Sequence, residues 1–288
     1  MRVPKPGSEV WRARYGPWAV VTGASTGIGE ATARHIAALG LCTVLVARDR
    51  ERLRKLATEL EARHGVRTLV VAADLSTQAG IDDVESATAA IDVGLFVAAA
   101  GFGTSGSFLC ADLPVELEML DVNCRAVLIQ AQQFGRRFTE RGCGGIVLLG
   151  SIVAHQGVPL AAHYAATKAY VQTLGEGLRL ELAAAGVDVL VSAPGPVHSA
   201  FAARAGMVMS SAVEPAVVAR ATIAALHRRG TAVPGSLSKL LTYSLAPLPR
   251  WLRSRIMGEI MSGMTRHGAP EPGVAQRDAV SMPSKPPA

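Results

Sequence analysis

The 288-residue chain has no long apolar run, no paired-cysteine motif and few aromatic side chains. Each absence excludes something. A bilayer-spanning helix needs about 18 uncharged apolar residues in a row, and none exists here. The N-terminus lacks the apolar core of a secretory signal. Residues 1–17 read instead as a basic, proline-containing arm outside the fold. Cys42, Cys110, Cys124 and Cys143 show no CxxC spacing, so neither a disulfide framework nor a metal site is expected. A reducing cytoplasmic location fits that pattern. With aromatics at only 5%, Ala, Val and Leu must fill the core.

Charge is also missing from the body of the chain. The net charge is +6, and nine Lys or Arg against three Asp or Glu from His227 to Ala288 account for all of it. The preceding 226 residues are neutral, which argues against nucleic-acid binding by the core.

What is present is an alternation of short apolar runs with helical patterns. Strands are expected at Trp18–Val21, Cys42–Ala47, Thr68–Ala72, Leu95–Ala98, Ile146–Leu149, Val187–Ser192 and Thr231–Val233. Helices are expected between them, including one long helix from Pro114 to about Glu140 and another from Glu214 to Arg229. Such alternation predicts an α/β fold: a single-domain, Rossmann-like, doubly wound parallel sheet over 18–235. A helical C-terminal extension follows over 236–267, apolar and basic, then a disordered tail over 268–288. The segment from Ala200 to Val213 has small and apolar residues without a clear period, as a lid beside a site would.

Several stretches carry chemistry. After the first strand comes Thr22-Gly23-Ala24-Ser25-Thr26-Gly27-Ile28-Gly29, then a helix. Glycines there let the backbone approach a phosphate, and the helix N-terminus favours its charge. The bland alternative is an ordinary βα turn. After the second strand, Arg48 stands where a dinucleotide fold choosing NADP places an arginine; the bland alternative is a solvated side chain opening a charged helix. Asp74, before Leu75, is placed to accept from an adenine amino group or to cap a helix. Asn123 lies amid apolar residues in an expected helix interior, where an amide is locally unfavourable.

The stretch Ser151 to Lys168 matters most. Tyr164 and Lys168 are four apart and share a helix face, and Ser151 sits at the C-terminal end of a strand. A hydroxyl, a phenol and an ammonium converging there can hold and protonate a carbonyl oxygen. The lysine cation is expected to lower the phenol's pKa from its usual value of about 10.

Taken in order, Thr22-Gly-x-x-x-Gly-x-Gly29, Asp74, Asn123, Ser151, Tyr164-x-x-x-Lys168 and Pro194-Gly195 make the chain resemble the short-chain dehydrogenase/reductase family from Trp18 to about Gly235. The resemblance implies an oxidoreductase that transfers a hydride between a nicotinamide cofactor and a carbonyl or alcohol. Its catalytic residues would be Asn123, Ser151, Tyr164 and Lys168, with Asn123 holding a water in a proton relay. The cofactor would be held by Gly23, Ser25, Thr26, Gly27, Ile28 and Gly29, by Arg48, Asp74, Leu75, Ala100 and Gly101, and by Pro194, Gly195, Val197 and Ser199, with Tyr164 and Lys168 touching it too. NADP(H) is expected in preference to NAD(H). The family's usual Asn-Asn-Ala-Gly is Ala98-Ala99-Ala100-Gly101 here, which puts local rigidity in question. A non-catalytic NADP sensor or scaffold is the alternative, but such relatives usually lose the serine, tyrosine or lysine. A small lipophilic carbonyl or alcohol substrate and a homo-oligomer complete the expectation. The segment from Ser236 to Met264 is expected to pack on the body or a partner; the sharper alternative is a basic lip touching a membrane surface or an acyl carrier.

Overall fold

The computed structural model describes residues 6–207 and 212–265. In chain order the elements are α1 (Glu9–Tyr15), β1 (Trp18–Thr22), α2 (Gly27–Ala38), β2 (Cys42–Ala47), α3 (Arg50–His64), β3 (Thr68–Ala72), α4 (Gln78–Thr88), β4 (Val93–Ala98), α5 (Leu113–Leu120), α6 (Ala126–Arg141), β5 (Gly144–Leu149), α7 (Ala162–Ala183), β6 (Val187–Ser192), α8 (Ala200–Arg204), α9 (Pro215–Ala225), β7 (Thr231–Ala232), α10 (Ser236–Leu245) and α11 (Arg250–Thr265). All seven strands are parallel, in the order β3-β2-β1-β4-β5-β6-β7. This is the expected doubly wound, Rossmann-like sheet.

The sequence explains the layering. Strands β1, β4 and β5 are buried along their whole length, so they read as near-continuous apolar runs rather than alternating ones. Helix α3 shows how a helix is specified locally. Asp49 caps its start by accepting from the Arg52 N–H at 3.0 Å, and Gly65 closes it with φ +65°. Between them Leu53, Leu56 and Leu60 bury one face, each contributing about 1.5–3 kcal/mol. One core cluster lies under α2, α3 and α9, a second under α4, α6 and α7, and a third joins α5, the start of α7 and α11. Helix α7 lies close on β6 at Gly175, where a Cβ would fall 2.3 Å from Val191 Cγ2.

Three expectations change. The segment set aside as an N-terminal arm contains α1, whose Trp11 and Tyr15 are 1% and 0% exposed in the main core. Gly94 and Gly145 make room for it, since a Cβ at either would lie within 3 Å of Tyr15. Asp188 at the start of β6 pins it, accepting from Tyr15 Oη at 2.7 Å and from Arg14 Nε at 2.6 Å. The long helix from Pro114 is two helices, joined by a π turn over Asp121–Arg125. Finally, α9 stops at Ala225, because Leu226 turns extended and His227 takes φ +74°. The expected tail 268–288 and part of the expected lid lie outside the described residues.

Candidate active site

Strand order reverses between β1 and β4, and the crevice at their C-terminal ends is where open α/β sheets bind ligands. A cavity of about 490 Å³ opens there. Its floor is the glycine turn. Gly23 and Gly27 have φ of +65° and +59°, which L side chains rarely adopt. A Cβ at Gly29 would lie 2.2 Å from the Gly23 carbonyl oxygen, and one at Gly23 would lie 2.9 Å from Ala100 backbone. Thr26 caps α2 without a side-chain hydrogen bond, so the first N–H groups of that helix point at the cavity without that partner. This cradle fits the pyrophosphate of a dinucleotide: bare backbone, a helix N-terminus and no side chain in the way. Ser25 and Ile28 line it too, and the Pro194-to-Ser199 loop closes it from across the crevice, with Ser199 Cβ 3.1 Å from where a Gly27 Cβ would be.

The loop after β4 forms the next wall. Ala98-Ala99-Ala100 lacks the usual amides, yet it is held. Thr22 Oγ1 accepts from the N–H groups of Ala99 and Ala100, both at 3.0 Å. The hydroxyl at the end of β1 therefore supplies the local rigidity that the sequence put in question.

Ser151, Tyr164 and Lys168 line one side of the cavity and all are buried. Ser151 ends the loop after β5 and caps a short 3-10 turn over Ile152–His155. Its Oγ accepts from the Val153 N–H at 3.4 Å and donates to the Pro194 carbonyl at 3.5 Å. Tyr164 and Lys168 come from the buried face of α7. Lys168 Nζ donates to the Leu149 carbonyl at 2.8 Å and sits 5.8 Å from the centre of the Tyr164 ring. Phe201 of α8 packs on that ring, with centroids 5.4 Å apart. Burial pushes the Tyr164 phenol up to about 12, and the neighbouring Ser151 hydroxyl recovers only part of the rise. Burial also pulls Lys168 down to about 8. The expected lowering of the phenol by the lysine is therefore not found. Desolvation outweighs it, because both groups are buried and the ammonium is aimed at a backbone carbonyl.

Asn123 sits in the π turn, the kind of helix distortion that recurs at functional sites. Its amide is engaged on both ends. Oδ1 accepts from the Phe102 N–H at 3.1 Å; Nδ2 donates to the Phe102 carbonyl at 2.8 Å and to Thr167 Oγ1 at 3.1 Å. It clamps the backbone just beyond Gly101 and is not on the cavity wall, unlike the other residues singled out in the sequence.

At the far end of the cavity, Asp74 and Leu75 follow β3. Burial raises the Asp74 carboxyl, but the Ser76 N–H and hydroxyl, with Arg48 and Arg204 beyond, more than offset it and hold it below the usual range. Asp74 caps no helix; Thr77 caps α4, accepting from the Gly80 N–H at 3.1 Å. Arg48 is 55% exposed and pairs with Glu118 of α5 at 3.2 Å. Arg204 of α8 reaches the same Glu118 oxygen at 3.3 Å and lies over the Phe102 ring at 3.7 Å. Glu118 and Arg204 gave no sequence signal, because their partners come from elements far apart in the chain.

The remaining walls are apolar: Phe102, Val153, Pro196, Phe201, Met207, Leu241, Met257, Ile260, Met261 and Met264. The last five come from α10 and α11. The extension is thus part of the site, and Ser238 of α10 ties it to the loop by accepting from the Gly195 N–H at 3.0 Å. Among the described residues no group of His, Cys, Asp or Glu could hold a metal ion, and no helix is long and apolar enough to cross a membrane.

The chain is similar to known proteins in sequence and in fold. Residues 17–207 match the family model for short chain dehydrogenases. A 7beta-hydroxysteroid dehydrogenase of Clostridium sardiniense is 32% identical over 185 residues, 64% of this chain and 71% of that protein. A solved 7beta-hydroxysteroid dehydrogenase superposes with a TM-score of 0.79 at 26% identity, covering 85% of this chain and 98% of the other. A short-chain dehydrogenase from Sphingobium yanoikuyae, solved in complex with NADPH, gives 0.75 at 30% identity over 83% and 95%.

Proposed function

Because the chain belongs to the short-chain dehydrogenase/reductase family, we propose that it is an NADP(H)-dependent oxidoreductase interconverting a carbonyl and an alcohol on a lipophilic small molecule. The observation that carries this is the convergence of Ser151, Tyr164 and Lys168 on one wall of an apolar cavity, beside a bare-backbone cradle for a dinucleotide.

The bound nicotinamide supplies the hydride chemistry. The chain's own groups do the rest. Ser151 Oγ donates a hydrogen bond to the substrate oxygen and fixes its position. Tyr164 gives that oxygen a proton in reduction and takes it back in oxidation. A phenol held near 12 is protonated at neutral pH, which suits an acid in the reductive direction. Lys168, buried on the same wall beside the Tyr164 ring, would hold the cofactor. Asn123 acts through Phe102, keeping the loop after β4 at its place in the wall. The Ile152, Met257 and Met261 side chains exclude water from the reacting carbon.

NADP(H) preference is supported by Arg48 and Arg204 at the far end, two guanidiniums suited to a ribose phosphate, and by the NADPH held in the Sphingobium yanoikuyae relative. We also place the chain in the cytoplasm as a homo-oligomer; its four cysteines are free thiols, as a reducing compartment requires.

The test is a panel of ketones and aldehydes graded by size and polarity, with NADPH consumption as readout. Turnover should rise with apolar bulk and be weak with NADH. No consumption on any carbonyl, with NADPH nonetheless bound, would overturn the catalytic reading in favour of a sensor.

A further inference from the structure

A second cavity, of about 200 Å³, lies behind the 3-10 turn after Ser151, between α10 and α11. Three of the residues that line it each carry a buried side-chain atom with no hydrogen-bond partner among the described residues: His155 Nε2, Thr242 Oγ1 and Arg253 Nε. Their residues belong to three separate elements that line the same cavity. Buried polar groups are normally paired, so each such atom needs an explanation.

The charges narrow the answer. The ionised groups acting on His155 are Glu176 and Arg253. Glu176 is occupied by Gln172 Nε2 at 2.6 Å. Arg253 has no carboxylate within ion-pair distance among the described residues. Burial, with Arg253 beside it, lowers the His155 pKa, which keeps the imidazole neutral at pH 7. The cavity thus offers one full positive charge, a hydroxyl and a neutral ring nitrogen. Water would satisfy the hydrogen bonds, whereas a carboxylate would also pair with the half-buried Arg253. Leu241, Leu245 and Met257 add apolar wall, and Gln156 and Tyr243 line the cavity as well.

From these groups we infer that the cavity binds a carboxylate attached to a short hydrocarbon, its oxygens facing Arg253, Thr242 and His155. One negative charge matches one guanidinium, and the aliphatic walls take the chain. Ile152, Leu241 and Met257 also line the main cavity. The carboxylate therefore has two sources: a separate small acid, or the acidic end of a substrate whose carbonyl lies at Tyr164. Only the second source rests on the function proposed above.

The experiment is calorimetric titration of the full chain with hexanoate, and with 1-hexanol as the uncharged control. The parent should bind hexanoate, Arg253→Gln should weaken it at least tenfold, and Arg253→Lys should recover part of the loss. Thr242→Val, which keeps the side-chain shape, should weaken it several-fold. Hexanol binding should be the same in parent and Arg253→Gln. No binding of hexanoate, or equal binding to parent and Arg253→Gln, overturns the proposal and leaves a water-filled cavity. The source is read from NADPH-dependent turnover of an oxo acid and its methyl ester. A preference for the acid that Arg253→Gln abolishes assigns the substrate's own carboxylate. Equal turnover with hexanoate binding intact assigns a separate acid. Turnover of neither refutes the proposed function while the binding result still decides the site.

Discussion

Lys168 shows what a working site costs the fold. Burial takes it from its ordinary 10.5 down to about 8, so below pH 8 the folded protein carries a charge it would rather lose. The sign follows from linkage. Below about 8 both folded and unfolded states are protonated and the full penalty applies. Between about 8 and 10.5 only the unfolded lysine holds its proton, and the penalty fades as pH rises. Lys168→Met should therefore be more stable than the parent at pH 7, by on the order of 3 kcal/mol at 1.36 kcal/mol per pKa unit. The unpaired Leu149 carbonyl will return part of that, about 1–3 kcal/mol. The difference should shrink through pH 8–10.5, followed by urea unfolding at each pH. A variant equally destabilised at every pH would show that the lysine is mainly a structural donor. Residues at this scale were legible where one side chain carries the chemistry. Ser151, Tyr164 and Lys168 meet as their spacing foretold. Their pKa values were not legible, because desolvation depends on how deeply Phe201 and the loop after β4 cover the ring.

At the scale of elements, α1 is the part most easily underrated. Its Trp11 and Tyr15 rings pack at 5.1 Å, the Tyr15 ring lying against Gly145 and the Tyr15 backbone against Gly94. Trp11→Ala should cost about 3–5 kcal/mol, measured by chemical unfolding, as large-to-small core changes do. A loss below about 1 kcal/mol would make α1 a peripheral strap. The strands were legible because burial on both faces leaves continuous apolar runs. Helix α1 was not, because seven residues in a basic, glycine- and proline-flanked context show no usable period. Nor was the π turn, whose cause is tertiary: Asn123 reaches across to the Phe102 backbone. The Ala98-Ala99-Ala100 departure looked like a weakness only because its compensation, the Thr22 hydroxyl, lies some 77 residues earlier in the chain.

Across the whole molecule, Glu118 ties Arg48 at the end of β2 to Arg204 in α8. The pair of guanidiniums that would meet a ribose phosphate is thus engaged by a carboxylate of a third element. A bound phosphate must compete with it. Arg48→Ala should weaken NADPH binding and leave NADH nearly unchanged. Glu118→Gln should do the opposite, tightening NADPH several-fold, because the competitor loses its charge. Both are read by fluorescence titration at fixed ionic strength. Equal effects on the two cofactors would make the cluster a brace between α5 and α8 rather than a phosphate site. The C-terminal extension belongs at this scale as well: α10 and α11 close the cavity, and Ser238 anchors them to Gly195.

The central claim is that Tyr164 is the proton donor of a nicotinamide-dependent oxidoreductase. Tyr164→Phe keeps the ring that packs on Phe201 and removes only the hydroxyl. The measurement pairs NADPH affinity with turnover of the best carbonyl from the panel. The variant should bind NADPH as the parent does and turn over roughly 10²–10⁴-fold more slowly, the usual contribution of a positioned acid. Turnover at the parent rate with NADPH bound would contradict the account.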